Sequence, residues 1–167
     1  MEVGLSLGAN LGDRLACLRE ARDRVAGLPG TRVLASSSVY ETEPVDVSAS
    51  HRDKTYLNAV IVVDTDLDPG DLAVRLRRME SAMGRVRTED RNAPRPIDLD
   101  ILYTGAMRID GPDLTVPHSR WNERRFVVQP LADVRPALCL PGEPRTVREV
   151  LLALPDTPDV VLFEATW

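Results

Sequence analysis

Lysine is almost missing from this chain of 167 residues: Lys54 stands alone among 21 basic residues, and the rest are arginine. A Walker-type phosphate loop needs a Gly-Lys-Ser/Thr step, and none is present, so a nucleotide would have to be held by some other arrangement. The Gly8-Ala9-Asn10-Leu11-Gly12-Asp13 run after a first strand lacks the G-x-G-x-x-G spacing of a dinucleotide-binding turn. Two cysteines, Cys17 and Cys139, lie far apart, with no second cysteine or histidine at metal-ligand spacing. Buried, reduced thiols are the expectation for both. No apolar run approaches the roughly 20 residues that a membrane span needs. The N-terminus enters an apolar, strand-like run carrying Glu2 rather than a secretory leader, so the cytoplasm is the expected location. The balance of 21 basic against 26 acidic residues gives a net charge of −5, which argues against non-specific nucleic-acid binding and leaves any basic site local.

A hydrophobic fraction of 43% and a charged fraction of 28% are those of a globular protein, and the length suits one domain over 1–167 with a sizeable core. Val3 to Leu7 reads as a strand. A helix follows, with Leu15, Leu18, Ala21, Val25 and Leu28 on one face and Pro29-Gly30 as its stop. Arg32 to Thr42 is a long β-prone segment. Tyr56 to Val63 is a further strand, apolar except at Asn58. Asp68-Pro69 supplies a cap and a first-turn proline for a second helix, whose stripe is Leu72, Leu76, Met79 and Met83 and which ends at Gly84. With a strand around Asp98 the order becomes β-α-β-β-α-β, the ferredoxin-like order of an α+β fold. Further on, Gly105 is expected to turn a hairpin into Met107-Ile109, and Thr115 to His118 is extended. Glu123 to Ala132 and Val147 to Leu154 read as helical, and Val160 to Phe163 as a last strand. No repeat, low-complexity tract or linker marks a second domain.

The densest chemistry lies between Gly84 and Leu102. Four arginines, Arg85, Arg87, Arg91 and Arg95, precede Asp98 and Asp100, which alternate with Ile97, Leu99 and Ile101. In a strand, alternate side chains share a face, so both carboxylates project together while the aliphatic residues pack the other side. Two adjacent carboxylates repel each other and want a cation. A hard divalent ion such as Mg²⁺, which takes oxygen ligands and keeps substrate phosphates in its shell, suits them. Guanidinium groups bind phosphate oxygens bidentately, so carboxylate pair and basic loop together describe a polyphosphate site. Either half alone is more often a solvated surface.

Six segments in order carry a resemblance. They are Ser6-Leu7-Gly8-Ala9-Asn10-Leu11-Gly12-Asp13, Ser38-Val39-Tyr40-Glu41-Thr42-Glu43-Pro44, Tyr56-Leu57-Asn58-Ala59, Gly84-Arg85 with Ala93-Pro94-Arg95 and Ile97-Asp98-Leu99-Asp100, Leu114-Thr115-Val116-Pro117-His118, and Arg124-Arg125-Phe126. The chain resembles, essentially end to end, the 6-hydroxymethyl-7,8-dihydropterin pyrophosphokinase family of folate biosynthesis. That resemblance implies a ferredoxin-like fold and transfer of the β,γ-pyrophosphoryl group of Mg-ATP to the pterin hydroxymethyl oxygen, with release of AMP. It implies that Asp98 and Asp100 hold two Mg²⁺ ions, and that Arg85, Arg95 and the loop residue Arg87 clamp phosphates. Glu80, Ile101, Thr115, His118 and Arg124 fall at nucleotide-site positions.

For the pterin, the resemblance assigns Asn58 to the heterocycle edge, Tyr56 and Phe126 to the ring faces, and Thr42, Pro44 and Val45 to backbone contacts. Asn58 is the one amide in an apolar strand and offers both a donor and an acceptor. Aromatic residues are only 4% of the chain, which gives weight to two of them falling in these motifs. The chain departs from common family residues at Asp46, Asn92, Asp113 and Ser119, none of which is a metal ligand. The expected partners are ATP and the pterin, with no nucleic acid and no membrane, in a monomer. Two rivals predict something different: an RNA-binding module would show exposed sheet aromatics and a basic face, and another Mg²⁺-dependent transferase would leave Tyr56, Asn58 and Phe126 without a purpose.

Overall fold

A strand that is apolar on both of its faces has to be covered on both, and the run from Leu57 to Val63, apolar except at Asn58, is such a strand. The computed structural model describes residues 1–43, 55–86 and 94–167. In it the elements run β1 (Glu2–Ala9), α1 (Arg14–Ala26), β2 (Thr31–Ser36), β3 (Val39–Thr42), β4 (Tyr56–Thr65), α2 (Pro69–Ala82) and β5 (Asp98–Thr104). They continue with β6 (Ile109–Asp110), β7 (Thr115–Val116), α3 (Arg125–Val134), α4 (Val147–Ala153) and β8 (Val160–Glu164). The main sheet runs β5-β1-β4-β3-β8, with β2 also on β4, and every pairing in it is antiparallel. The result is a mixed α/β fold with an antiparallel sheet and, among the described residues, four α-helices.

Side-chain alternation divides the core in two. Leu57, Ala59, Ile61 and Val63 of β4, with Leu5 and Leu7 of β1 and Leu99 and Ile101 of β5, pack against Leu18, Ala21 and Val25 of α1 and Leu72 and Leu76 of α2. Val60 and Leu102 face the other way, onto Val127, Val128 and Leu131 of α3 and Val147 and Val150 of α4. Helices therefore cover both faces. The caps follow local chemistry: the Asp13 carboxylate accepts from Ala16 N–H at 3.0 Å and that of Asp68 from Gly70 N–H at 2.8 Å. Thr146 and Glu149 form a reciprocal capping box on α4.

The expectation of two buried thiols fails, since Cys139 is exposed and Cys17 only half-buried. Three expectations about the elements also change. The segment from Arg32 to Thr42 is two strands, broken at Ser37-Ser38. Ser37 N–H donates to the Val60 carbonyl at 2.8 Å, and Val60 N–H returns to the Ser37 hydroxyl at 2.9 Å, so a side chain replaces the backbone acceptor. The carbonyl freed in this way accepts from the indole of Trp167 at 2.7 Å. The tail hairpin does not turn at Gly105. Its strands are β6 and β7, and Gly111 N–H closes their turn on the Leu114 carbonyl at 3.1 Å. The helix expected from Glu123 starts at Arg125, after a single 3₁₀ turn over Trp121–Glu123.

Gly4 and Gly8 both lie on the α3 side of β1. Gly4 faces Tyr103 across the ladder, and a Cβ there would collide with the Tyr103 ring. Tyr103 is itself buried, and its hydroxyl donates to Glu2 at 2.8 Å, so it cannot move aside without losing that bond. Gly4→Ala is expected to destabilise the fold by about 1–3 kcal/mol, the range for overpacking a filled site. Urea denaturation of the variant beside the parent protein measures it.

Candidate active site

Asp98 and Asp100 project from the α3 side of β5, while Ile97, Leu99 and Ile101 enter the core beneath α2. Because β5 is the outer strand of the sheet, groups from both of its faces border one space. That space is a cleft of about 310 Å³ between α2 and the β6–β7 hairpin. Leu76 and Glu80 line it from α2, Asp98, Asp100 and Ile101 from β5, and Thr115 and His118 from beyond the hairpin. The strand alternation that separates Asp100 from Ile101 thus still gives both to the same cleft.

The charges are interlocked. Glu80, 2% exposed, sits in the last turn of α2, where its carboxylate accepts from Leu99 N–H at 2.8 Å and pairs with Arg85. Arg85 reaches on to one oxygen of Asp98, and Arg95 lies 3.3 Å from the other. Arg95 is positioned in turn by Asn10, whose side-chain oxygen accepts from Arg95 N–H at 2.7 Å while Asn10 N–H donates to the Arg95 carbonyl at 3.2 Å. Burial raises the pKa of Glu80, opposed by the Leu99 N–H and by Arg85. Asp100 is pushed up to about 7, first by burial and then by the charges of Asp98 and Glu80, with Arg124 and Arg85 opposing.

Such a group of carboxylates calls for added positive charge. Among the described residues no three His, Cys, Asp or Glu side chains form a metal cage, and Asp98 and Asp100 are the two strand carboxylates that could hold a cation. That fits Mg²⁺, which leaves most of its positions to water and phosphate, better than an ion caged wholly by protein. His118 faces the same cleft. Burial lowers its pKa, and the Arg124 charge lowers it further. Its Nδ1 accepts from Arg120 N–H at 3.2 Å, so the neutral ring carries its proton on Nε2.

A second group lies on the same side of the sheet, across β1. Gly8 pairs with Asp98 on β5 and with Asn58 on β4, which makes a row across three strands. Asn58 is buried and its amide donates to the Thr42 hydroxyl at 2.9 Å, while Tyr56 pairs with Thr42 in the ladder. Arg124 and Phe126, at the start of α3, lie with the guanidinium 5.8 Å from the ring centre. Tyr56 and Phe126 share a side of the sheet, and among the described residues no ring contact joins them.

Of the residues singled out from sequence, Glu80, Arg85, Arg95 and Asp98 meet directly, and Asp100, Ile101, Thr115 and His118 border the same cleft. Thr42 meets Asn58. Pro44, Val45, Arg87, Arg91, Asp46 and Asn92 lie outside the described residues. Arg77, which also lines the cleft from α2, donates to the Asp113 carbonyl at 3.1 Å. Sequence reading used the Gly8–Asp13 run as part of a family segment and gave Asn10 no partner. Asn10 in fact holds Arg95, a partner 85 positions away that no local pattern reveals.

A carboxyl group with a pKa raised to about 7 binds more protons folded than unfolded, so it lowers the stability of the metal-free protein as pH rises from about 4 to 7. At about 1.4 kcal/mol per pH unit, Asp100→Asn is expected to stabilise the metal-free protein by roughly 1–4 kcal/mol at pH 8 and by little at pH 5. Thermal unfolding of both proteins at the two pH values, with chelator present, checks this.

The model of the 7,8-dihydro-6-hydroxymethylpterin-pyrophosphokinase family matches residues 4–136. A 2-amino-4-hydroxy-6-hydroxymethyldihydropteridine pyrophosphokinase of Methylorubrum extorquens is 41% identical over 150 residues, covering 90% of this chain and 91% of the relative. One from Pseudomonas aeruginosa is 40% identical over 153 residues, covering 92% and 91%. The mitochondrial folate synthesis bifunctional protein of Pisum sativum is 42% identical over 133 residues, of which this chain spans 25% of the length. Among solved structures, the wild-type HPPK-DHPS protein of Plasmodium falciparum superposes with a TM-score of 0.69 at 16% identity, over 91% of this chain and 40% of that one, a likeness of fold alone. By sequence along nearly the full length of its bacterial relatives, the chain belongs to the 7,8-dihydro-6-hydroxymethylpterin-pyrophosphokinase family.

Proposed function

We propose that the residues gathered on β1, β4 and β5 carry out the reaction of the family: pyrophosphate passes from ATP to the hydroxymethyl group of 6-hydroxymethyl-7,8-dihydropterin, and AMP leaves. The observation that carries this reading is the row Asn58–Gly8–Asp98, which sets a hydrogen-bonding amide and a phosphate-side carboxylate on one face of the sheet, two strands apart. The hydroxymethyl oxygen forms a bond to the β-phosphorus, the bond from that phosphorus to the oxygen bridging to the α-phosphorus breaks, and the hydroxyl proton is lost.

Asp98 and Asp100 would hold two Mg²⁺ ions. Bound Mg²⁺ supplies charge neutralisation on the polyphosphate and a more acidic hydroxyl. Arg85 and Arg95, which pair with Asp98 here, would clamp the phosphate oxygens of ATP. Arg87, by the family resemblance, is proposed as a further phosphate ligand. His118 donates from Nε2 to a phosphate, and its low pKa keeps it neutral for that hydrogen bond. Glu80, Ile101, Thr115 and Arg124 bound the nucleotide. Asn58 and Thr42 bind the pterin edge, Tyr56 and Phe126 its faces, and Pro44 and Val45 are proposed to add backbone contacts to it.

The scaffold is a ferredoxin-like core in one domain over 1–167. Support comes from the strand positions β5-β1-β4-β3 combined with the order β1, α1, β2 and β3, β4, α2, β5, with the hairpin, α3, α4 and β8 added. No helix among the described residues is long and apolar enough to cross a membrane. A cytoplasmic monomer acting on these two small molecules, without nucleic acid, completes the reading.

Incubation with Mg-ATP, with and without the pterin, is expected to give AMP only when pterin is present. ADP as the product would mean simple phosphoryl transfer and defeat the proposal. Asp98→Ala and Asp100→Ala are each expected to lower kcat by about 10³-fold or more, since a metal site supplies several kcal/mol in the transition state. Asn58→Ala is expected to weaken pterin binding and leave Mg-ATP binding near the parent value, as read by calorimetry. Equal loss of both ligands would remove Asn58 from the pterin site.

A further inference from the structure

Two glycines on one face of one strand have different reasons to be glycine. Gly4 is filled: the Tyr103 ring occupies the place of its side chain. Gly8 is open. A Cβ built there would stand 3.5 Å from the Asn58 Oδ1 and 3.9 Å from the Asp98 Cβ, both ordinary contacts, and among the described residues beyond Leu7 and Ala9 nothing else comes within 4 Å. Its backbone is not in the left-handed region, since the positive-φ glycines are Gly12, Gly30, Gly84, Gly105 and Gly142. Neither packing nor backbone conformation therefore requires a glycine at position 8. Glycine inside a strand is destabilising relative to alanine, so the open space is kept against the interest of the fold.

The space lies between two groups with separate tasks. On the β4 side is the Asn58 amide, and on the β5 side the Asp98 carboxylate. Neighbouring strands lie about 4.8 Å apart, so the two groups are separated by roughly 10 Å across β1. A ring held at Asn58 whose reactive oxygen must arrive at Asp98 has to cross β1, and the only residue of the row beneath its path is Gly8.

We infer that Gly8 is a specificity-determining position: the missing side chain is the channel through which the one-carbon arm at C6 of the pterin passes from the Asn58 side to the phosphate side. The inference rests on the proposed pyrophosphokinase reading and adds to it a residue that sets which 6-substituents reach the phosphate. The residue at position 8 works by leaving space and makes no hydrogen bond through a side chain. A methyl group there shortens the channel while leaving the Asn58 amide and the nucleotide cleft as they are.

The experiment compares Gly8→Ala and Gly8→Val with the parent enzyme, using two ligands: 6-hydroxymethyl-7,8-dihydropterin and 7,8-dihydropterin, which lacks the arm. AMP formation by the parent enzyme stands as the separate check on the reading beneath. For Gly8→Ala the Tm is expected to equal or exceed that of the parent, and the Kd for 7,8-dihydropterin and for Mg-ATP to stay within about twofold. The kcat/KM for the hydroxymethyl substrate is expected to fall about 10- to 200-fold, the range one methylene commands in a fitted pocket, and further for Gly8→Val. Parent-like turnover by Gly8→Ala, with the parent forming AMP, overturns the inference alone. Equal weakening of both pterins overturns it too, since the side chain would then act on the ring and not on the arm. A drop in Tm like that of Gly4→Ala would assign Gly8 to packing and overturn it as well.

Discussion

The pairing of Asp98 with two guanidinium groups is the constraint on which the rest of the cleft depends. Arg85 bridges Glu80 and Asp98, Arg95 takes the other oxygen of Asp98, and Asn10 fixes Arg95. Remove the guanidinium groups and three carboxylates would face one another in a partly dry space. Even with them in place, Asp100 is left with burial and two negative neighbours that outweigh Arg124 and Arg85, and its pKa is pushed up to about 7. The free protein thus carries an electrostatic deficit of positive charge at the point where metal and polyphosphate are proposed to enter together. Sites of this kind trade stability for function.

That deficit is held in place by ordinary secondary structure. Glu80 stays buried because α2 ends beside β5 and the Leu99 N–H, free of a sheet partner on the outer edge, donates to it. An edge strand is usually a liability because its backbone groups are unpaired. Here one of them becomes the anchor for a buried carboxylate in the last turn of the helix that packs on the neighbouring face. The same edge position explains how nucleotide and metal groups can be supplied by alternate residues of one strand. In a central strand, Ile101 and Asp100 would have opened onto separate layers.

Much of this was legible in the sequence, and the reasons differ by element. The strand alternation at 97–101, the Asp68-Pro69 helix start and the apolar run of β4 are local signals, and the structure carries all three. The pairing of Asp98 with Arg85 and Arg95 was half visible, since the charges were close in sequence but their partners were not fixed. The break at Ser37 was not legible, because it depends on a hydroxyl replacing a backbone acceptor opposite Val60 and on Trp167 at the far end of the chain. Asn10 was missed for the same reason, its partner being brought to it by the β1–β5 pairing. Local pattern names an element or a charge; it does not say which distant group will complete it.

Glycine shows this limit most sharply. Gly4 and Gly8 sit two turns of the pleat apart on one strand and look alike in sequence. Only the neighbouring strands tell them apart: Tyr103 beside one, and Asn58 and Asp98 flanking the other at ordinary contact distance. A filled glycine records packing, whereas an open one in a strand interior records something that is absent from the chain itself. The row across β4, β1 and β5 therefore joins fold to chemistry in a simple way. Antiparallel register fixes which residues stand side by side, the amide and the carboxylate mark the two ends of the row, and the residue between them contributes by having no side chain.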